Sequence, residues 1–456
     1  MSTTTQLQKN KIFETYSAPK ALGAMVLPTI ASQIIFVIYN MADTWFVGLR
    51  NDPNAVAAIS LCLPVYNILA AISNLFGIGG AGVIARALGR KDSDDARNGF
   101  TMAIVGGLIV AATYSILMFS VGRSLLFLIG ADGADIEYAL IYVRYTIIWG
   151  GIPTILATTV GHLIRAYGYP RQASFGLILG AIFNVGLDPL FMFVLLPPGN
   201  EVAGAALATT VSNSLSLLFF IFFIVRKRNE FMGSCRLQNK FELRIFKELI
   251  GGGLPAFCLV ALAMLSNCFL NSMLSKLGNE AVAGVGVVRK IDHLAYAVNQ
   301  GVTQGMLPLV AYSYSAGRKT FMKQIILLAA AGTELFSLIS TTLSCIFASQ
   351  LVAFFIKDPT TVGWGAQFLR VLSLAIPVYS LTFVIIAVFQ AVGRSLEPLF
   401  ISILHKGSLD ILLLFIIRRN FGFEHIVWAA PVTEAVGLIF ALILFWTRSK
   451  QFKVTN

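Results

Sequence analysis

The chain has 456 residues, 57% of them hydrophobic and only 12% charged, with a mean hydropathy of +0.78. A soluble protein carries about 25% charged residues, so the composition excludes an ordinary soluble domain and predicts a polytopic membrane protein. The formal charge of +12 would suit nucleic acid, but the basic residues lie between apolar runs rather than in one patch, and nucleic acid is excluded as a partner.

Apolar runs predict twelve spans, at 22–48, 55–85, 98–120, 137–163, 171–195, 202–225, 246–275, 281–313, 323–348, 361–391, 397–417 and 426–446. Each run is continuous rather than alternating, so the spans are helices and not barrel strands. The first twenty residues are polar and lead straight into a full-length span, which is not the pattern of a cleavable signal peptide. With the N-terminus inside, 23 of the 34 basic residues fall in inner segments and six in outer loops. The positive-inside rule then places both termini in the cytoplasm.

The first span carries a lone acid, Asp43, and a proline, Pro28. An ionised Asp in mid-membrane costs about 2.5–3.5 kcal/mol on insertion scales, and is tolerated when it faces water, has a partner or takes up a proton. Pro28 leaves a backbone carbonyl unpaired and lets the helix bend. Two readings stay open for Asp43: a coupling group, or a cap at the water interface.

In the fifth span Asn184 and Asp188 lie four residues apart, which puts amide and carboxylate on one helix face. Pro189 follows and favours a local distortion or a helix end. The sixth span opens on a small, hydroxyl-rich face that includes Thr209 and Thr210. If Asp43, Asn184, Asp188 and a threonine converge, two neighbouring carboxylates cannot both stay ionised cheaply. Such a site suits a proton, and the same oxygens suit sodium. The plainer reading is that Asn184 and Asp188 cap the helix end near the outer loop.

The chain repeats itself at a nearly constant offset. Pro28 matches Pro255, Gly89-Arg90-Lys91 matches Gly317-Arg318-Lys319, Arg144 matches Arg370, and Ala166-Tyr167-Gly168 echoes Ala391-Val392-Gly393. The expected halves are 1–235 and 236–456, six spans each, related by an axis along the membrane normal with a substrate cavity between them. The segment 226–248 is the linker, and residues 241–250 read as an interfacial amphipathic helix. The later half has Asp292 beside Arg289-Lys290 and Asp410 four residues after Lys406, both read as local ion pairs. Glu334 and Glu434 have no sequence-local cation, and are read either as attracting a cationic substrate or as pairing with Arg144 or Arg370. The five cysteines (Cys62, Cys235, Cys258, Cys268, Cys345) form no CxxC pair, and the four histidines show no zinc spacing. No nucleophile–base set or nucleotide loop stands out, so an enzyme is not expected.

Pro28 and Asp43, Gly89-Arg90-Lys91, Asn184-x-x-x-Asp188-Pro189, and Trp428-Ala429-Ala430-Pro431 with Glu434 form an ordered set along the chain. The set resembles the multidrug and toxic compound extrusion (MATE) family, and its prokaryotic DinF/MepA-like branch more than the NorM branch. The resemblance covers all twelve spans. It implies two six-helix lobes, and a cation-coupling site in the first lobe made of Asp43, Asn184, Asp188 and Thr209 or Thr210. A fourth-span tyrosine, Tyr142 or Tyr145, belongs near that site. It also implies that Pro28 is where the first span bends as the site changes occupancy, and that the coupling ion is H+ or Na+, sodium being held at Asp43, Asn184 and Asp188. Relatives coupled through the second lobe carry acids in spans seven and ten; here span seven offers Asn267 and Asn271 and span ten offers none. Coupling through that lobe is therefore not expected. Asn40, Asn267, Asn271, Glu334 and Glu434 are candidates for the substrate cavity.

The expectation is an all-α, twelve-helix antiporter of the bacterial plasma membrane, monomeric and without a cofactor, exporting small organic cations across the lipid bilayer. The rival reading is a flippase for a lipid-linked oligosaccharide, which needs a strongly cationic cavity to hold pyrophosphate. The candidate cavity charges here are as much acidic as basic.

Overall fold

The computed structural model describes residues 11–48, 53–129, 133–197, 199–231 and 242–449. Among the described residues there is no strand, and twelve long helical elements follow one another. These are α1 (Ala18–Gly48), α2 (Pro53–Gly89), α3 (Ser93–Ile129) and the broken α4 (Gly133–Val143, Arg144–Trp149, Gly151–Ala166), then α5 (Pro170–Leu195), α6 (Glu201–Arg226) and α7 (Leu243–Leu274). They continue as α8 (Asn279–Ser315), α9 (Lys319–Ile346), α10 (Pro359–Ala391), α11 (Leu396–Phe421) and α12 (Ala429–Ser449). Ten are long and apolar enough to cross a membrane, and the two arms of α4, bent by 51°, make an eleventh. The twelfth, α8, is diluted by Arg289, Lys290, Asp292 and His293. The elements stand where the apolar runs predict spans.

The sharp departures from α geometry are local. Single π turns interrupt α4 at Arg144–Trp149, close α5 at Leu190–Leu195 directly after Pro189, and interrupt α11 at Leu404–Ser408. Such turns cluster at functional positions because the extra residue re-aims side chains. Asp358 caps the N-terminus of α10, accepting the Thr361 N–H at 2.8 Å and its hydroxyl at 2.7 Å. The backbone N–H and then the hydroxyl of Thr361 hold this exposed carboxyl below its ordinary range. The cap is therefore intact above that range and is lost only as pH falls through the depressed value.

The chain divides into two compact units, Ile34–Gly253 and Met1–Gln33 with Leu254–Asn456. Both division points lie inside helices, α1 and α7. The halves expected to meet at 235/236 have that point, like Cys235, outside the described residues. Residues 243–250, read from sequence as part of an interfacial helix, are the opening turns of α7; Phe241 lies outside the described residues.

Within Ile34–Gly253, those opening turns cross α2 with almost no side chain between the backbones. A Cβ on Gly253 would come within 1.8 Å of the Leu75 carbonyl oxygen, and one on Gly79 within 2.1 Å of the Leu249 carbonyl oxygen. Small residues permit this close approach. By contrast a Cβ on Gly252 meets nothing nearer than 3.6 Å. Gly253→Ala is therefore expected to abolish the monodisperse folded peak in fluorescence-detected gel filtration, whereas Gly252→Ala retains it. Ion pairs flank this crossing: Arg86 of α2 reaches Glu248 of α7 at 3.4 Å, and Arg244 of α7 reaches Asp95 of α3 at 2.9 Å, an acid that Arg90 also reaches at 3.0 Å.

In the other unit the opening turns of α1 cross α8 in the same manner. A Cβ on Gly305 would lie 2.9 Å from Val26 Cα, and one on Gly301 2.7 Å from Ile30 Cα. Gly79 and Gly305 are equivalent positions in the sequence repeat. An amide ladder runs beside this crossing: Gln33 Nε2 donates to Gln304 Oε1 (2.8 Å), Gln304 Nε2 to Gln300 Oε1 (3.3 Å), and Gln300 Nε2 to the Tyr296 hydroxyl oxygen (2.7 Å).

Candidate functional site

Asp43 of the first span and Asp188 of the fifth lie in the same unit, Ile34–Gly253. Pro189 has no N–H for the Val185 carbonyl, and α5 turns π at this point, carrying Asp188 at the last α turn. Asp188 has no exposed surface, Asn184 has 2% and Thr209 has 7%. The Asn184 amide donates to Asp188 Oδ1 and to the Thr209 hydroxyl oxygen, each at 3.4 Å, while the Thr209 hydroxyl donates to the Ala205 carbonyl at 3.1 Å. Asp188 Oδ2 and Asn184 Oδ1 are buried without a hydrogen-bond partner, and so is Asp43 Oδ1 on α1. The charge of Asp43 acts on Asp188 and on the hydroxyls of Tyr39, Tyr66 and Tyr142.

Hydrogen bonds bring Asn184, Asp188 and Thr209 together, Asp43 is near enough for its charge to reach Asp188, and neither acid has an ion-pair partner among the described residues. Orphaned oxygens of two carboxylates and an amide accept only. What fits them chemically is a cation: a proton, or a small hard metal ion with an oxygen preference. Among the described residues no three His, Cys, Asp or Glu side chains cluster.

The structure separates residues that the sequence leaves paired. Thr209 joins the acids, whereas Thr210 donates to the Tyr145 carbonyl at 2.7 Å and closes the π turn of α4. Tyr142 is 4% exposed and set edge-on to Tyr66 at 6.4 Å, while Tyr145 packs edge-on against Trp149 at 5.0 Å. Tyr39, Tyr66 and Asn213 are the site neighbours that sequence reading missed. Asn213 bonds the Thr154 hydroxyl at 2.9 Å and the Tyr66 side chain. Its only signal was its place one turn after Thr209; Tyr39 likewise precedes Asp43 by one turn.

Pro28 sits inside an unbroken α1, where the next turn is buttressed by the Thr29 hydroxyl donating to the Met25 carbonyl at 2.7 Å. Asn40 donates to the Phe36 carbonyl at 2.7 Å. Asn267 is exposed, and Asn271 accepts from Arg289 at 3.0 Å. Glu334 accepts from the Ser380 hydroxyl at 3.0 Å.

Of three ion pairs read from the sequence none is present, and only that of Glu434 is replaced by another ion pair. Glu434, 1% exposed, is bound by Lys406 Nζ at 2.6 Å and by His405 Nε2, not by Arg144 or Arg370. Asp410 accepts from the Ser266 and Thr433 hydroxyls instead of forming an ion pair with Lys406. Lys406 belongs to the π turn of α11, so the α-helical spacing to Asp410 does not hold there. Asp292 forms no salt bridge with Arg289 or Lys290; Arg289 turns to Asn271, and Asp292 Oδ1 is buried without a partner.

A family model, MatE, matches residues 28–190 and again 255–416. The chain belongs to the MatE family. The two MatE matches begin at Pro28 and Pro255, the same pair of prolines that opens the internal repeat of the sequence. Full-length relatives include the multidrug export protein MepA of Staphylococcus haemolyticus, 26% identical over 442 residues that cover 97% of this chain and 96% of the relative. An outward-facing multidrug resistance MATE family transporter superposes with a TM-score of 0.89 at 23% identity, covering 99% of both chains. A MOP superfamily transporter from Pyrococcus furiosus gives 0.91 at 22% identity, covering 98% of this chain and 99% of that one. These likenesses establish the MATE fold of twelve helices in two lobes. As a MatE protein the chain is a multi-pass membrane transporter and not an enzyme.

Proposed function

We propose that this chain is a cation-coupled antiporter that exports organic cations by alternating access, with Asp43, Asn184, Asp188 and Thr209 as its coupling site. The observation that carries the reading is the meeting of two buried carboxylates with orphaned oxygens and no counter-cation of their own. The multidrug export name of its full-length relatives supports the substrate class. A proton or sodium ion that enters the pocket removes its negative charge and weakens its hold on an organic cation. A ligand shifts a conformational equilibrium only through its differential affinity for the two states. Charge exchange at these carboxylates supplies that difference, and Pro28, inside the unbroken α1, is the place where that helix bends in response. The chain resides in a bacterial plasma membrane as a monomer, with both termini cytoplasmic, and needs no cofactor.

Purified protein in proteoliposomes, given a proton gradient or a sodium gradient separately, is expected to move a fluorescent organic cation against the imposed gradient of one ion. Equal flux with both gradients collapsed would overturn coupled antiport. A lipid-linked oligosaccharide flippase would instead scramble that lipid and leave the dye unmoved.

A further inference from the structure

The unit that contains α8 to α12 holds a second buried acid which the coupling site does not use. Asp292 lies deep on α8 yet keeps some accessible surface, and its Oδ1 is buried without a hydrogen-bond partner. Neither nearby cation bonds it: Lys406 holds Glu434 at 2.6 Å, and Arg289 donates through Nη1 to Asn271 at 3.0 Å while its Nη2 is buried without a partner, so both act on Asp292 only through their charge. Among the described residues, then, no cation forms an ion-pair contact with Asp292.

An aromatic cluster begins one helical turn from this acid. Tyr296 follows Asp292 by one turn of α8, and its ring centroid lies 6.3 Å from Tyr379 and 5.6 Å from Phe383, which are themselves 5.4 Å apart. The charge of Asp292 acts on both tyrosine hydroxyls. Tyr379 is 5% exposed, and its hydroxyl lies beside the Asn299 side chain without a hydrogen bond of normal geometry. Tyr296 is held by the amide ladder, since Gln300 donates to its oxygen at 2.7 Å. Its own proton must therefore point away from Gln300.

We propose that Asp292, Tyr296, Tyr379 and Phe383 form a binding site for a protonated aromatic amine. The ammonium N–H groups donate to Asp292 Oδ1 and the Tyr379 hydroxyl, and the apolar body lies against the rings, whose faces attract cations. An N–H donor is the feature selected. A quaternary ammonium of equal size supplies charge but leaves both oxygens unsatisfied, and an unsatisfied buried acceptor is costly. The proposal rests on the export reading only for the substrate being an organic cation. The site itself is read by equilibrium binding, which needs no gradient.

The test is titration calorimetry on the full chain in nanodiscs with three probes: 1-naphthylmethylammonium, its trimethylammonium analogue and neutral 1-naphthalenemethanol. Wild type is expected to bind the primary amine about tenfold or more tighter than the quaternary analogue, as hydrogen bonds to charged groups allow. Asp292→Asn is expected to remove that preference while leaving the alcohol unchanged. An undiminished preference in Asp292→Asn, or a parallel loss of all three probes, overturns the site. If Asp292→Asn does not fold, Tyr379→Phe decides the matter, because it keeps the ring and removes only the orphaned hydroxyl. It is expected to cost the amine about threefold and the quaternary analogue nothing; an equal change for both, or none, overturns the proposal. Failure of gradient-driven transport would leave these outcomes unaffected, so the two readings fall separately.

Discussion

Asp188→Asn is expected to bring gradient-driven efflux down to background while the protein still inserts and purifies as wild type. Asparagine keeps the shape of the side chain, and its Oδ1 can still accept the Asn184 amide that now donates to Asp188 at 3.4 Å. What it cannot do is change charge. Asp188 is fully buried with one orphaned oxygen, so removing the charge relieves a desolvation cost rather than breaking a contact. Folding is spared and coupling is lost. Asp43→Asn is expected to behave alike, and the double variant no worse than either single one, because groups that act as a unit are not additive. The loss should exceed about tenfold, which corresponds to about 1.4 kcal/mol of differential affinity. Dye efflux in everted vesicles, normalised to folded protein by gel filtration, makes the measurement. Retention of full efflux by either variant would remove that acid from the coupling reading.

These acids were legible in the sequence for a physical reason. A carboxylate inside an apolar run is costly enough that its presence demands a wet, paired or protonated setting, and Asp43 and Asp188 are both in such runs. The spans were legible for a related reason, since every crossing segment needs enough apolar length. The aromatic neighbours were not, because Tyr39 and Tyr66 read as ordinary span residues until helix packing is known. The divide between units inside α1 and α7 was likewise hidden. A helix's sequence does not say which neighbour each half packs on, although Gly253 and Gly305 mark the crossings once they are known. The π turns defeated the pairing rules. The four-residue spacing from Lys406 to Asp410 assumes α geometry, and Leu404–Ser408 does not have it. The turn sends Lys406 to Glu434 on α12, a partner on another helix that no local rule could name.

That partner makes Glu434 one member of a buried ion pair. Glu434→Ala is expected to destabilise the protein by about 3–5 kcal/mol, the usual cost of removing one member of a buried pair and leaving the other charged and alone. The environment leaves little room for repair. Glu434 is 1% exposed and the His405 side chain is fully buried, so water cannot readily take the place of the carboxylate. Lys406 keeps 24% of its side-chain surface, which sets the expectation toward the lower end of that range. Asp410 is already occupied by the Ser266 and Thr433 hydroxyls. Thermal unfolding of the purified protein, followed by intrinsic fluorescence, should show a clear fall in midpoint for Glu434→Ala and a smaller one for Glu434→Gln, whose amide oxygen can still accept one of the two donors. The deciding variant is the double one. Lys406→Met with Glu434→Gln removes both charges and keeps the volume, so it should regain most of the loss, because a buried pair and an apolar replacement of similar size are close in energy. If the double variant is as unstable as the single one, the pair is not the cause. If Glu434→Ala unfolds at the wild-type temperature, Lys406 has another anchor, and Asp410 and then Asp292 are the acids within reach of its charge.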